Sequence, residues 1–476
     1  LKEIINSVGI DIGTSTTQLI FSKLTIENRA SSYMVPRIDI VDTEVIYKSD
    51  IYTTPLIDTQ TIDAEAVKDI VKDEYKKAKM TPKDLKTGAV IITGETARKE
   101  NANDVLSSLS SLAGDFVVAT AGPDLESILS ARGAGTDQMS KENRNTMANI
   151  DIGGGTSNIA VYNKGNLLGT SCLDIGGRLI KVENGKLTYI YEKTARMAAE
   201  LGLNISVGQT ADPKVLRKLT SEMAKQLAMA VGLVPKDSKH KSMYTNDGDP
   251  IDDDIKIDGI TFSGGVADVV YNPTTNDPFR FKDIGPLLGD AIVEDGYFDS
   301  IKTYRSQETI RATVVGVGTH TTEVSGSTIR YDAECLPVKN IPVIKLSDEE
   351  EADLDRLTKT IADRLEIYTD KKVDQAVAIA FCGSTRTSFD EVQKLAMAII
   401  EGIKAYDNPE IPIIIIIEND IGKVLGNALK YLIKPKRKLI CIDNIFVRDG
   451  DYVDIGEPVV GGNVVPVVTK TLIFNR

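Results

Sequence analysis

Histidine is almost absent: His240 and His320 are the only two among 476 residues. That argues against a histidine-based zinc site and against a Ser-His-Asp hydrolase. Cysteine is also scarce. Cys172, Cys335, Cys382 and Cys441 stand far apart with no C-x-x-C pair, the pattern of a reduced, cytoplasmic protein. No signal-peptide pattern opens the chain. Its most apolar run, Ile411 to Ile417, is too short to span a bilayer and reads as a buried strand. Positive charge is in deficit, with 56 Lys and Arg against 69 Asp and Glu, a net charge of −13. Such a balance argues against non-specific nucleic-acid binding or an anionic membrane surface as a partner. No G-x-x-x-x-G-K-[ST] occurs, and no full G-x-G-x-x-G follows a strand, so neither a P-loop nor a dinucleotide Rossmann site is expected.

What is present centres on residues 148–162. The apolar run Ile150-Asp151-Ile152 reads as a strand end. Gly153, Gly154 and Gly155 follow, and Thr156 opens a second strand. Glycines suit a tight hairpin, and they also leave room for a phosphate to reach backbone N–H groups. The acid before the turn could hold a hydrated divalent ion beside that phosphate. Residues 8–21 repeat this layout without a gap: Asp11 falls on Asp151, Gly13 on Gly153 and Thr16 on Thr156, each 140 positions apart. An internal repeat carries more information than either copy. Two such hairpins facing each other across a cleft would grip a polyphosphate from both sides, with Asp11 and Asp151 near a shared Mg²⁺.

Other signals fall between and after the hairpins. Residues 63–79 have helical periodicity, with Ala66, Ile70, Val71 and Tyr75 toward one face. Residues 88–93 read as a strand leading to Gly94-Glu95-Thr96, and residues 97–112 as a helix. The helix at 123–132 ends in small residues, Ser130, Ala131, Gly133, Ala134 and Gly135, which permit close helix approach or mark a C-cap. Residues 173–177 read as a turn. The acid run Asp252-Asp253-Asp254 reads as a solvated loop. Strand 260–262 leads into Ser263-Gly264-Gly265, where a flat base or ribose could lie against backbone. A second small-residue helix is expected over 283–294, with Gly285, Gly289 and Ala291, and residues 310–324 form an apolar, Gly-rich run. Beyond about residue 331, Ser347 to Glu350 is a capping box opening a helix to about Tyr368. The strands and helices that follow alternate as in an α/β unit.

In order, these are a phosphate hairpin, a small-residue helix, a second phosphate hairpin, a Gly-Gly turn and a second small-residue helix. The set resembles the actin-like ATPase superfamily, which includes sugar kinases and heat-shock-type chaperone ATPases. Residues 8–25, 90–103, 116–129, 148–163, 312–329 and 451–469 are similar to the ethanolamine ammonia-lyase reactivating factors, the EutA family, and that likeness runs through essentially the whole chain. The resemblance implies an α/β protein of the actin-like ATPase fold, with two duplicated lobes around a nucleotide cleft, residues 1–145 and 146–330, and a C-terminal α/β unit, 331–476. It implies a partner, adenosylcobalamin-dependent ethanolamine ammonia-lyase, whose damaged cobalamin is released with ATP and Mg²⁺ so that intact cofactor can bind. It also implies a place in bacterial ethanolamine utilisation, in the cytoplasm or with the ethanolamine microcompartment.

The expected site follows. Asp11 and Asp151 position hydrated Mg²⁺. Gly13, Thr14, Ser15, Thr16 and Thr17, with Gly153, Gly154, Gly155 and Thr156, hold the phosphates. Ser263, Gly264 and Gly265 lie at the adenosine, and Glu95 orients the attacking water or is simply a first-turn acid favoured by a helix dipole. A small-molecule kinase or an actin-like nucleotide-controlled scaffold would carry the same superfamily motifs.

Overall fold

The computed structural model describes residues 2–13, 16–28, 38–58, 61–93, 117–120, 123–245, 250–273, 277–320, 322–368, 376–384, 388–404, 411–433, 437–449 and 451–471, with Asn101, Val105, Leu109 and Asn408. Two of its sheets share one plan. In the first, strand Lys2–Ile12 lies between Thr16–Asn28, its antiparallel hairpin partner, and Thr87–Ile92, which runs parallel to it. Ile38–Lys48 extends the antiparallel side and Val117–Thr120 the parallel side. In the second sheet, Thr146–Ile152 lies between its antiparallel hairpin partner Ser157–Asn163 and the parallel strand Gly259–Ser263. Asn166–Leu173 and Lys302–Tyr304 take the two outer places. Strand order and direction therefore match throughout, and the registers match too: Asp11 opposes Gln18 as Asp151 opposes Asn158. This doubled sheet plan around a cleft is the actin-like ATPase fold.

The central strands are apolar on both sides because each face is covered. Ile10 and Ile12 are buried in one core, Ile150 and Ile152 in the other. In the first core, helix Ala64–Ala78 is capped by Asp63, whose side chain accepts the Ala66 N–H, and ends at Lys79 in the left-handed region. Its inward residues are Val67, Val71, Glu74 and Tyr75, so the stripe runs one position away from the expected Ala66 and Ile70.

Helix Pro123–Gly133 crosses helix Ala312–His320 at backbone contact. A Cβ on Gly133 would come within 1.8 Å of the Ala312 carbonyl oxygen, and one on Gly316 within 2.0 Å of the Leu129 oxygen. Gly318 also meets Gly9 of the first central strand at backbone distance. The small residues of 123–133 thus permit a close approach, as expected, but the partner differs. Helix Gly285–Glu294, expected as the second small-residue element of this pair, packs against Pro213–Ala230 and Ala267–Tyr271.

The third sheet has eight strands. Val338–Lys345, Ala378–Phe381, Ile413–Ile417 and Leu439–Asp443 run parallel in that order, with antiparallel strands at both sides. Helices Leu354–Tyr368, Phe389–Gly402 and Gly422–Leu432 bury Leu357, Leu395 and Leu425 against one face. Ser347 and Glu350 do form a capping box, but the helix it opens ends at Ala352, and a new one starts at Leu354. Among the described residues, no helix is long and apolar enough to cross a membrane.

Candidate functional site

Both glycine turns close in the same way. The Gly13 N–H donates to the Thr16 carbonyl at 2.9 Å, and the Gly153 N–H to the Thr156 carbonyl at 2.9 Å. Each turn leaves its aspartate at the end of a central strand, facing one cavity of about 260 Å³ between the two sheets. Asp11, Gly13 and Thr16 line it from the first lobe, and Asp151, Gly153, Gly154, Gly155 and Thr156 from the second. The structure thus brings together residues that lie 140 positions apart in the sequence.

The two carboxyls are held differently. Thr93, just past its strand, donates its hydroxyl to Asp11 Oδ1 at 2.9 Å. Asp151 Oδ1 accepts from Ser263 Oγ at 2.5 Å. Behind Ser263 runs a buried polar chain: Asn149 Nδ2 donates to Ser263 Oγ at 2.9 Å, and Thr261 Oγ1 donates to Asn149 Oδ1 at 3.0 Å. Thr261 in turn shares a 2.6 Å hydrogen bond with the hydroxyl of Thr136. Burial disfavours the charged form of both acids. It pushes Asp11 up to about 7, opposed by the Thr93 hydrogen bond and reinforced by the nearby charge of Asp151. Asp151 rises to about 6 by burial, opposed by Ser263.

Gly264 and Gly265 line the same cavity. Gly264 has φ +83°, and a Cβ there would strike the Ile152 carbonyl oxygen at 2.4 Å; Gly265 has open space. Thr17 is buried, shares a 3.1 Å hydrogen bond with Thr54, and is not among the lining residues. Thr14, Ser15 and Glu95 lie outside the described residues.

Sequence reasoning passed over Thr93, Asn149, Thr261 and the segment Gly176-Gly177-Arg178. The last reads as an ordinary turn, yet the Gly177 N–H bonds to the Gly153 carbonyl at 2.9 Å and the Arg178 N–H to the Gly154 carbonyl at 2.7 Å. A second Gly-Gly pair ending a β-meander was the available signal. Of the two histidines, His240 is a core residue, its ring nitrogens 2.8 Å from Gln226 Oε1 and Tyr244 Oη, and His320 ends the helix that begins at Ala312. Asp252, Asp253 and Asp254 are exposed, as expected of a solvated loop.

The donor set fits Mg²⁺ with a polyphosphate. Two buried carboxyls, each with one oxygen fixed by a hydroxyl, face a cavity walled by glycine backbone. No group of three or more His, Cys, Asp or Glu able to hold a metal occurs among the described residues. Mg²⁺ suits such a site, because it keeps several waters and binds through one or two carboxylates plus phosphates.

A hairpin-and-carboxylate clamp presented twice across one cavity belongs to proteins of the actin-like ATPase fold. Within them the chain belongs to one family: the family model "Ethanolamine utilisation protein EutA" matches residues 3–475. A protein of Salmonella typhimurium named ethanolamine ammonia-lyase reactivase EutA is 36% identical, with 98% of each chain covered. Its namesake in Escherichia coli K12 is 35% identical, again over 98% of each chain. A solved structure of the Aquifex aeolicus member of the Ppx/GppA family aligns with 66% of this chain and 97% of its own, at 13% identity and a TM-score of 0.41.

Proposed function

We propose that this chain is an ATP-dependent reactivating chaperone. Its client is adenosylcobalamin-dependent ethanolamine ammonia-lyase, from which it releases damaged cobalamin so that intact cofactor can rebind. The observation that carries this reading is the relation to proteins named as reactivases of that lyase, which extends over 98% of both chains. The paired buried carboxyls and glycine turns around one cavity support the nucleotide part of this reading.

In this reading Asp11 and Asp151 hold hydrated Mg²⁺, which neutralises phosphate charge. Thr93 and Ser263 fix the two carboxyls through the hydrogen bonds described above. The Gly13 and Gly153 N–H groups close the turns onto the Thr16 and Thr156 carbonyls. The remaining backbone N–H groups of 14–16 and 154–156, with the hydroxyls of Thr16 and Thr156, therefore bind the phosphates against walls formed by Gly13 and Gly153. Preorganised donors of this kind are the main lever in phosphoryl transfer. Gly264 and Gly265 lie against adenosine, Gly264 required by its own packing on Ile152 and Gly265 leaving open space, and Glu95 orients the attacking water. Units 1–145 and 146–330 form the two lobes, and unit 331–476 accompanies them. The client binds the two nucleotide states with different affinity, as any nucleotide-driven switch requires. The protein works in the cytoplasm, either free or in association with the ethanolamine microcompartment.

The test is recovery of cyanocobalamin-inhibited ethanolamine ammonia-lyase on adding this protein, ATP, Mg²⁺ and free adenosylcobalamin. Activity should return only with the complete mixture, and Asp151→Asn should abolish the return. No recovery with the complete mixture refutes the proposal.

A further inference from the structure

The cavity between the lobes has a lopsided charge. Among the described residues, five acids line it, Asp11, Glu126, Asp151, Asp268 and Asp283, against a single base, Arg178. A polyphosphate brings several negative charges into that field, and one divalent ion does not offset them all. The lone base therefore matters more than one cation on a mixed surface would.

Arg178 is placed by two contacts, and its side-chain partner is itself held by a third. Its own N–H is bonded to the Gly154 carbonyl at 2.7 Å, which ties its backbone to the turn of the second hairpin. Its Nε donates to Asp283 Oδ2 at 3.2 Å. Asp283 is 5% exposed and is itself fixed, its other oxygen accepting the Gly285 N–H at 2.9 Å. The guanidinium is thus anchored through Nε alone. Its two terminal nitrogens make no hydrogen bond among the described residues, and the side chain is 39% exposed at the cavity wall. An arginine held by its inner nitrogen keeps its outer fork available, and that fork matches the oxygens of a phosphate.

We propose that Arg178 is a phosphate-binding residue of this cavity. It donates through its terminal nitrogens to the nucleotide's phosphates beside Gly154 and Gly155, with Asp283 as its positioning residue. The proposal rests on the reading of the cavity as a nucleotide site and extends it to a residue outside both hairpins. Because Asp283 fixes Nε, the fork is aimed before the ligand arrives, so less rotamer freedom is lost on binding.

The experiment measures dissociation constants, with Mg²⁺ held constant, for ATP and for inorganic tripolyphosphate, each displacing a fluorescent ATP analogue. The proteins are the full wild-type chain, Arg178→Met, Arg178→Lys and Asp283→Asn, each checked for an unchanged melting transition. Arg178→Met should weaken ATP and tripolyphosphate by a similar factor, roughly 10- to 100-fold. Arg178→Lys should recover only part of that loss, because it keeps the charge without the fork. Asp283→Asn should give a smaller loss of the same kind. ATP affinity within about twofold of wild type in a folded Arg178→Met protein overturns the proposal, because a charged hydrogen bond to phosphate contributes more than that. So does a loss confined to ATP with tripolyphosphate unaffected, which would move Arg178 to the nucleoside end. A wild-type chain that binds neither ligand overturns the nucleotide reading itself, and this proposal with it.

Discussion

Replacing Asp11 by asparagine should make the ligand-free protein more stable, and more so as pH rises. The carboxyl is buried, and burial lifts it from an ordinary 3.8 to about 7. A raised acid is favoured in the folded state while protonated. Its contribution is fully present below pH 3.8 and is lost as pH climbs through about 7. A rise of that size corresponds to about 4 kcal/mol by pH 8. Asparagine has nearly the same shape, carries no charge at any pH, and its amide oxygen can still accept the Thr93 hydroxyl. The difference in unfolding free energy between Asp11→Asn and wild type should therefore be near zero at about pH 4 and grow to a few kcal/mol at about pH 8. Urea unfolding of both proteins at several pH values without Mg²⁺ or nucleotide measures it. Contributions from groups that do not interact with Asp11 cancel in the difference, leaving Asp11 and its coupled neighbour Asp151. The same variant should lose Mg²⁺-dependent ATP hydrolysis, since stability and function compete at a site built from buried charge. A stability difference that stays flat from about pH 5 to 8, or one favouring wild type at high pH, refutes the reasoning.

Two further predictions concern the frame around the site. Asn149→Leu removes one of the two partners of Ser263, which keeps Asp151, and one of those of Thr261, which keeps Thr136. It should cost about 2–3 kcal/mol, read as a lower urea midpoint at unchanged slope, because two buried hydroxyls lose partners; an unchanged midpoint would show the chain to be energetically idle. Gly316→Ala sets a methyl 2.0 Å from the Leu129 carbonyl oxygen and must part the crossing helices. A loss of about 1–3 kcal/mol or outright unfolding is expected, and a wild-type melting temperature would contradict the backbone contact.

The two aspartate hairpins were legible because each sets an acid at the end of an apolar strand, immediately before a glycine turn, in the same layout both times. Charge in such a place is costly without a purpose, so it stands out. Thr93, Asn149 and Thr261 did not stand out. Threonine and asparagine in or beside strands look like ordinary sheet residues, and Thr93 meets its partner from 82 positions away, Thr261 from 112. Helix 312–320 was hidden for another reason. Three valines and two glycines in nine residues argue against a helix on propensity. Tertiary contact wins, because only small residues admit the backbones of Gly9 and Leu129 at that distance. The one-position offset on helix 64–78 has a similar cause. Glu74 faces inward because the hydroxyl of Tyr47, at 2.7 Å, that of Tyr52 and the amine of Lys77 all donate to it. A carboxylate can occupy a buried stripe only with partners of that kind, and Tyr47 and Tyr52 come from elsewhere in the chain.

The eight-stranded sheet is fastened to one side of the cleft. Val324, Val459, Val460 and Val464 share a core with Ile5, Leu24 and Ile26 of the first lobe, and Val468 shares another with Ala89, Ile91 and Leu129. Lys86 and Glu457 pair across the same seam at 2.7 Å. The core of the second lobe, by contrast, draws all its buried members from residues 148–298. Mechanically the protein is then a short arm and a long one joined at the crossing helices. Any rotation that opens or closes the cleft sweeps the eight-stranded unit along with the first lobe, and the displacement grows with distance from the pivot. A rotation too small to notice at the carboxylates would then be read as a larger displacement at that unit's outer helices.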